Sequence, residues 1–265
     1  MKAWELHDSL ARSIGDPLIK IDGSLYLGDG IIPDGVRYTK AIRDQYLNRA
    51  MLMIQRDYLN KVAGLPRFKA AQILQRAFPS MTRTFRVNVE GLGMQPGDML
   101  YVYSVALSTR YIYPYNEQAK SDIFKADPNF VDKGQVKEIP IYEQSVAYKI
   151  NLRGGTIRQD LCAFVTSNGN YEWVGLLGRE LDDILSSTNL YEHTLEISYL
   201  PIAPRMENYN YDDEVEFEAT YEPAIINRAI LYAQFDSGEI GTPTQAVQLL
   251  EVLSGEITGG NNGNA

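Results

Sequence analysis

The residues that most often carry chemistry are scarce and scattered here. His7 and His193 are the only histidines, and neither has a companion at metal-ligand spacing. The single cysteine, Cys162, sits in the apolar run Leu161-Cys162-Ala163-Phe164-Val165. A thiol there reads as a small hydrophobe, because a reactive one needs an electropositive setting. Gly28-x-Gly30 has no buried strand feeding it and no correctly placed third glycine, so it is not a dinucleotide fingerprint. It also lacks the Gly-Lys-Ser/Thr of a phosphate loop. Asp22, Asp29 and Asp34 miss calcium-loop spacing, and Asp182-Asp183 has no histidine or further spaced carboxylate to complete a catalytic metal site. Arg153-Gly154-Gly155 occurs once and is weak evidence for RNA. The reading is a non-enzymatic chain with no catalytic residue, no cofactor and no metal.

Charge distribution says more than the motifs do. Residues 1–90 hold 14 Lys and Arg against 9 Asp and Glu, a balance of +5; residues 91–265 hold 11 against 25, a balance of −14, and the two sum to the net −9. Such asymmetry points to partners. Basic surfaces of one copy could meet acidic surfaces of the next, head to tail. An acidic chain lacks the clustered cations that grip phosphates, but it suits a conduit through which DNA slides without sticking. Residues 207–222 concentrate the acidity, with seven Asp and Glu and no Lys or Arg. Tyrosine is abundant at 18 residues, a type enriched at protein interfaces. Tyr111, Tyr113 and Tyr115, bracketing Pro114, are candidate partner contacts.

These side chains must be held by elements that the sequence pattern suggests. The longest helical pattern runs to residue 62 from a Gly- and Asp-punctuated loop at residues 28–35. Ile42, Tyr46, Ala50, Met53 and Ile54 recur at helical spacing, and Asp34 or Thr39 could cap the first turn. Arg37, Arg43, Arg49 and Arg56 are candidate neighbour contacts, with the last three expected on the helix's other surface. Shorter helices are expected at residues 4–14, 66–78, 179–186 and from Pro223 to about 237. Thr242-Pro243-Thr244-Gln245 is a capping box that should start one more. Between them lie strand patterns at residues 84–90, 99–107, 139–152 and 193–200, with a hairpin over 160–175 around Asn168-Gly169. Residues 116–138 lack periodicity and are long for a loop inside a compact domain.

The order helices, strands, helices predicts an α+β fold: an α-helical bundle built from both chain ends with a β-rich insertion between them. Residues 1–82 and 206–254 would form the helical core. Residues 83–205 would be the insertion, with a projecting arm at about 114–138, and 255–265 a Gly- and Asn-rich tail, flexible in isolation and held by a partner chain. One cysteine allows no internal disulfide and fits a reducing compartment. The charged N-terminus is not a signal peptide, and no apolar run approaches the roughly 20 residues of a membrane span.

Two stretches resemble a known family. Residues 30–61, with the Gly-rich loop, Arg37-Tyr38, Arg43 and Tyr46-Leu47-Asn48-Arg49-Ala50, resemble the first long helix of tailed-bacteriophage head–tail connector adaptors, the portal-adaptor or neck-ring proteins. Residues 211–239 are similar to the closing helix of the same proteins: Asp213-Glu214-Val215-Glu216-Phe217 runs into Tyr221-Glu222-Pro223-Ala224-Ile225-Ile226-Asn227-Arg228-Ala229 and ends near Asp236-Ser237-Gly238. Together they cover roughly a fifth to a quarter of the chain. The resemblance implies a ring, commonly of twelve copies, docked beneath the portal protein and joined to tail or fibre proteins. Such a ring lies in the virion neck after assembly in the host cytoplasm, and DNA passes through it transiently. Asp212, Asp213, Glu214, Glu216 and Glu218 are then candidate channel-lining residues. The β-rich insertion exceeds that of the simplest members of the family. An alternative reading is an adhesion or carbohydrate-binding module of a particle, built on the Tyr-rich insertion.

Overall fold

A computed structural model of the chain describes residues 1–15, 20–21, 24–25, 38–89, 95–111, 135–144, 146–147, 161–167, 171–178, 180–186, 191–210 and 212–238. The chain divides into two compact units, one of residues 1–81 and 202–265, the other of residues 82–201.

The first unit is helical in its described part. Helix α1 (Ala3–Ser13) starts where the Lys2 backbone N–H donates to the Glu5 carboxylate at 2.7 Å, and it buries Ala3, Leu6, Leu10 and Ala11. A two-residue strand pair, β1 (Lys20–Ile21) with β2 (Ser24–Leu25), follows. Helix α2 (Lys40–Val62) is capped by Thr39, whose hydroxyl accepts from the Ile42 N–H. Its buried stripe runs through Tyr46, Leu47, Ala50, Met51, Ile54, Tyr58 and Val62, the 3–4-residue spacing that a helix needs to cover a core. Gly64, at φ 83°, makes the sharp turn that ends it. Pro66 then precedes α3 (Arg67–Ala77), which buries Ala70, Ala71, Leu74 and Ala77.

The chain re-enters this unit after residue 201. Backbone bonds from Ala3 N to Asp213 O (3.0 Å) and from Val215 N to Met1 O (2.9 Å) strap residues 213–215 to the start of α1. The last described helix, here α5 (Glu222–Asp236), begins with a proline in its first turn and buries Ile225, Ile226, Ala229, Tyr232 and Ala233. It packs against α2 and α1. Phe78 centres an aromatic cluster, with the rings of Tyr58, Tyr221 and Phe217 at 5.3, 5.5 and 5.8 Å; those of Tyr58 and Phe217 stand edge-on to it, as aromatic quadrupoles favour, and that of Tyr221 is tilted.

The second unit is built on two sheets. Strands β3 (Arg83–Asn88), β4 (Met99–Tyr111), β5 (Gln135–Ile139) and β9 (Tyr191–Pro201) form an antiparallel sheet in the order β3-β9-β4-β5. Strands β6 (Ile141–Glu143), β7 (Cys162–Ser167) and β8 (Glu172–Leu177) form the other, with β6 parallel and β8 antiparallel to β7. Helix α4 (Glu180–Ser186) lies between β8 and β9 in the chain. One core unites both sheets, with Met99, Val102, Val105 and Leu107 of β4, Leu195 and Ile197 of β9, and Ala163, Val165 and Val174 of β7 and β8.

Side chains complete the sheets where the ladder fails. The β4–β9 register shifts near residues 101–104, and there the Val102 N–H donates to the Glu172 carboxylate at 2.6 Å. The Gln95 amide donates to the Val174 carbonyl at 2.6 Å and accepts from the Val174 N–H at 2.8 Å, standing in for a neighbouring strand. Gly175 lies opposite Phe164, whose ring fills the space of a Cβ.

The expected α-helical bundle with a β-rich insertion is therefore corrected. Among the described residues the fold is mixed α/β, with five α-helices and seven strands in the two larger sheets, and its core is mostly β-sheet. The physical reason is that β4, β7, β8 and β9 bury apolar side chains against one another, so the sheets build a contiguous core of their own. The helices, by contrast, bury Arg43, Asp44, Gln55 and Arg228 among their apolar residues. The helix expected from Pro243, the tail at 255–265 and residues 114–134 of the expected arm lie outside the described residues, while residues 135–138 of that arm do not project but belong to β5, paired antiparallel with β4.

Candidate functional site

The candidate surface is the charged exterior of the helical unit. Residues 38–81 supply its cations and residues 207–222 its carboxylates. The structure separates the sequence candidates into three groups.

Arg49 and Arg56 are exposed on α2. The Arg49 guanidinium sits over the Tyr232 ring, 4.6 Å from its centroid, so its stem is fixed by a cation–π contact while its charge stays near solvent. Arg43 is different. It is 1% exposed and cannot offer a surface contact. The expectation that it shares a face with Arg49 and Arg56 fails because Tyr46, Leu47 and Ala50 set the buried side of the helix, and Arg43 lies one turn before them on that side. Arg37, Tyr113 and Tyr115 fall outside the described residues. Tyr111 ends β4, its backbone paired with Tyr191, and its side chain is outside the description.

The acidic residues divide as well. Val215 and Phe217 are buried, while Asp212, Glu214 and Glu216 are exposed. That alternation is what a short extended strap over a core produces. Asp213 is turned to its own chain, its carboxylate accepting from the Asn210 N–H (2.7 Å) and side-chain amide (3.0 Å). Glu218 accepts from the Ser80 N–H at 2.6 Å. Asp213 and Glu218 hold the fold, and Asp212, Glu214 and Glu216 present charge outward.

Beneath this surface lie buried ionic groups that the sequence pattern hid. His7 Nε2 is 2.9 Å from Asp44 Oδ1, and Lys40 Nζ is 2.7 Å from Asp44 Oδ2. Burial works against ionising Asp44, yet the contacts with His7 and Lys40 outweigh it and hold the carboxyl below its ordinary range. Arg228, fully buried on α5, bonds the Asp57 carboxylate of α2. Tyr46 is pushed up to about 12 by burial and then by its bond to Asp236. The signal for Arg228 was a cation inside an apolar run, Ile225-Ile226-Asn227-Arg228-Ala229-Ile230, where only a buried partner makes sense.

In the sheet unit, His193 is buried, with Nδ1 3.1 Å from Thr109 Oγ1. Burial lowers its pKa. Cys162 is buried in β7. Among the described residues no group of three or more His, Cys, Asp or Glu side chains could hold a metal ion, and no helix is long and apolar enough to cross a membrane. No family model matches the chain, and no curated protein matches it.

Proposed function

We propose that this chain is a structural ring subunit of a phage head–tail connector, a portal adaptor in the virion neck that lines the DNA channel and joins the portal protein to tail or fibre components. It works as a homo-oligomer of about twelve copies by analogy with the family it resembles, and catalyses no reaction. The observation that carries the proposal is exposed charge of both signs on one helical unit. Arg49 and Arg56 are exposed on α2, and Asp212, Glu214 and Glu216 are exposed on the 212–216 strap. A subunit exposing basic residues on one element and acidic residues on another favours heterologous contact, which forms a ring where the rotation closes. An acidic bore repels phosphates and lets DNA pass. The two stretches that resemble connector adaptors, residues 30–61 and 211–239, contain these same charged residues.

Reversing Arg49 and Arg56 together to Glu tests the proposal. Both side chains are exposed, so the monomer should keep its helical circular dichroism, and rings on portal-bearing particles should fail to form in negative stain. Unchanged ring assembly by the double mutant counts against the proposal.

A further inference from the structure

The α2–α3 corner carries a surface that no sequence candidate included. Phe68 is 62% exposed and Leu65 42%, which is unusual for large apolar side chains so near each other. Phe68, Gln72 and Arg76 follow one another at four-residue spacing and so share a ridge of α3, with Lys69 beside it. Lys69, Gln72 and Arg76 are all exposed. Residues 58–81 contain four cations, Lys61, Arg67, Lys69 and Arg76, and no Asp or Glu. The helix keeps its own core on the opposite side, through Ala70, Leu74 and Ala77. The surface is therefore an apolar knob beside the exposed cations Lys69 and Arg76.

The same unit carries its complement. Residues 207–222 hold seven carboxylates and no cation. Glu207, Asp213 and Glu218 accept from amides of their own chain, at Asn48, Asn210 and Ser80, and Asp212, Glu214 and Glu216 face outward.

We propose that the Leu65–Phe68 knob, with Lys69 and Arg76, docks onto the acidic 212–216 strap of a second copy of this chain. The inference rests on the ring-subunit reading and adds to Arg49 and Arg56 a further surface by which neighbours meet. Phe68 supplies the apolar anchor, since a buried aromatic at the centre of a contact carries most of its strength. Lys69 and Arg76 supply register and steering against Glu214 and Glu216. Because the two surfaces differ, the contact is heterologous and propagates around a ring.

Sedimentation velocity on the full chain, at rising concentration and at two salt concentrations, tests this directly. The wild-type chain should associate, and more weakly at high salt. Lys69→Glu with Arg76→Glu should weaken association at least tenfold, as should Glu214→Lys with Glu216→Lys. Combining both pairs should restore it, since the charges then face each other reversed. Phe68→Ser should weaken association without rescue. All are exposed positions; circular dichroism confirms folding of each variant, and Glu216→Lys alone replaces the second pair if that pair fails to fold. A chain that stays monomeric up to about 1 mM, or association indifferent to these substitutions, overturns the proposal. Rings that close through other residues would leave the ring-subunit reading standing and refute this surface. A closed two-fold dimer through these surfaces would support the surface and refute the ring.

Discussion

Removing the carboxylate of Asp57 should destabilise the helical unit more than any change on its surface. Arg228 has a fully buried side chain, while Asp57 is 12% exposed. Asp57→Ala takes away the carboxylate that faces a guanidinium with no access to water. Breaking a buried pair from that side costs about 3–5 kcal/mol, about a hundredfold to a few thousandfold in the folding equilibrium. For a chain of this size that lowers the melting midpoint by about 6–20 °C. Arg228→Met should cost less, because the Asp57 carboxylate that remains keeps part of its hydration and Met fills most of the vacated volume. The double change Asp57→Leu with Arg228→Met should recover most of the loss. Urea unfolding followed by circular dichroism at 222 nm, which reports the helices, is the assay. Asp57→Ala within about 1 kcal/mol of wild type, or Arg228→Met costing as much, would refute the reasoning, since it would mean the guanidinium is not dependent on this carboxylate.

Other outcomes follow from the same geometry. Gly175→Ala would place a Cβ 2.2 Å from the Phe164 ring, so it should destabilise the sheet unit by about 1–3 kcal/mol, and adding Phe164→Leu should relieve much of that in a urea titration. His193 is held neutral by burial below its ordinary 6.5. The unfolded chain therefore binds the extra proton first, and stability present above pH 6.5 erodes as pH falls below it; His193→Gln should flatten that slope in melts between pH 7.5 and about 5. Asp44 is shifted the same way from 3.8, so its contribution persists above that pH and is lost as pH falls through the folded value. His7→Ala, which removes one of its two partners, should raise the midpoint of acid unfolding of the helices, and an unchanged midpoint would contradict the role given to the pair.

Much of the element order was legible in the sequence. The apolar stripe and Thr39 mark α2, and the helix begins at Lys40. Pro66 marks α3, and Phe85 and Val87 mark β3 by alternation. Asn168-Gly169 marks a hairpin, and β7 and β8 pair antiparallel on either side of it. What local pattern could not supply was the weight of the parts. The sequence reads as a helical bundle bearing an insertion because helices stand at both ends. The sheet unit is built through contacts far apart in the chain, β4 with β9 inside one sheet and Gln95 with Val174 of the other, which no local period encodes. The candidate surface was legible in charge but not in facing. Arg43 and Arg49 look equivalent by type, yet six residues along a helix put them on different sides, one buried and one exposed. The acidic run was visible as composition. Its division into inward and outward carboxylates depends on Val215, strapped to the α1 start, and Phe217, packed against Phe78 and Tyr221. Leu65 and Phe68 were missed because an exposed apolar pair in a helix-opening turn resembles a core stripe until the fold shows which side is covered.

The most direct test of the central claim is electron cryo-microscopy of tailed particles that carry this chain. The expected result is a closed ring of copies around the axial channel between capsid and tail, with Asp212 toward the bore and Glu214 and Glu216 at the contact between neighbouring copies. Density for the chain at the particle's periphery, or its absence from the particle, would contradict the account.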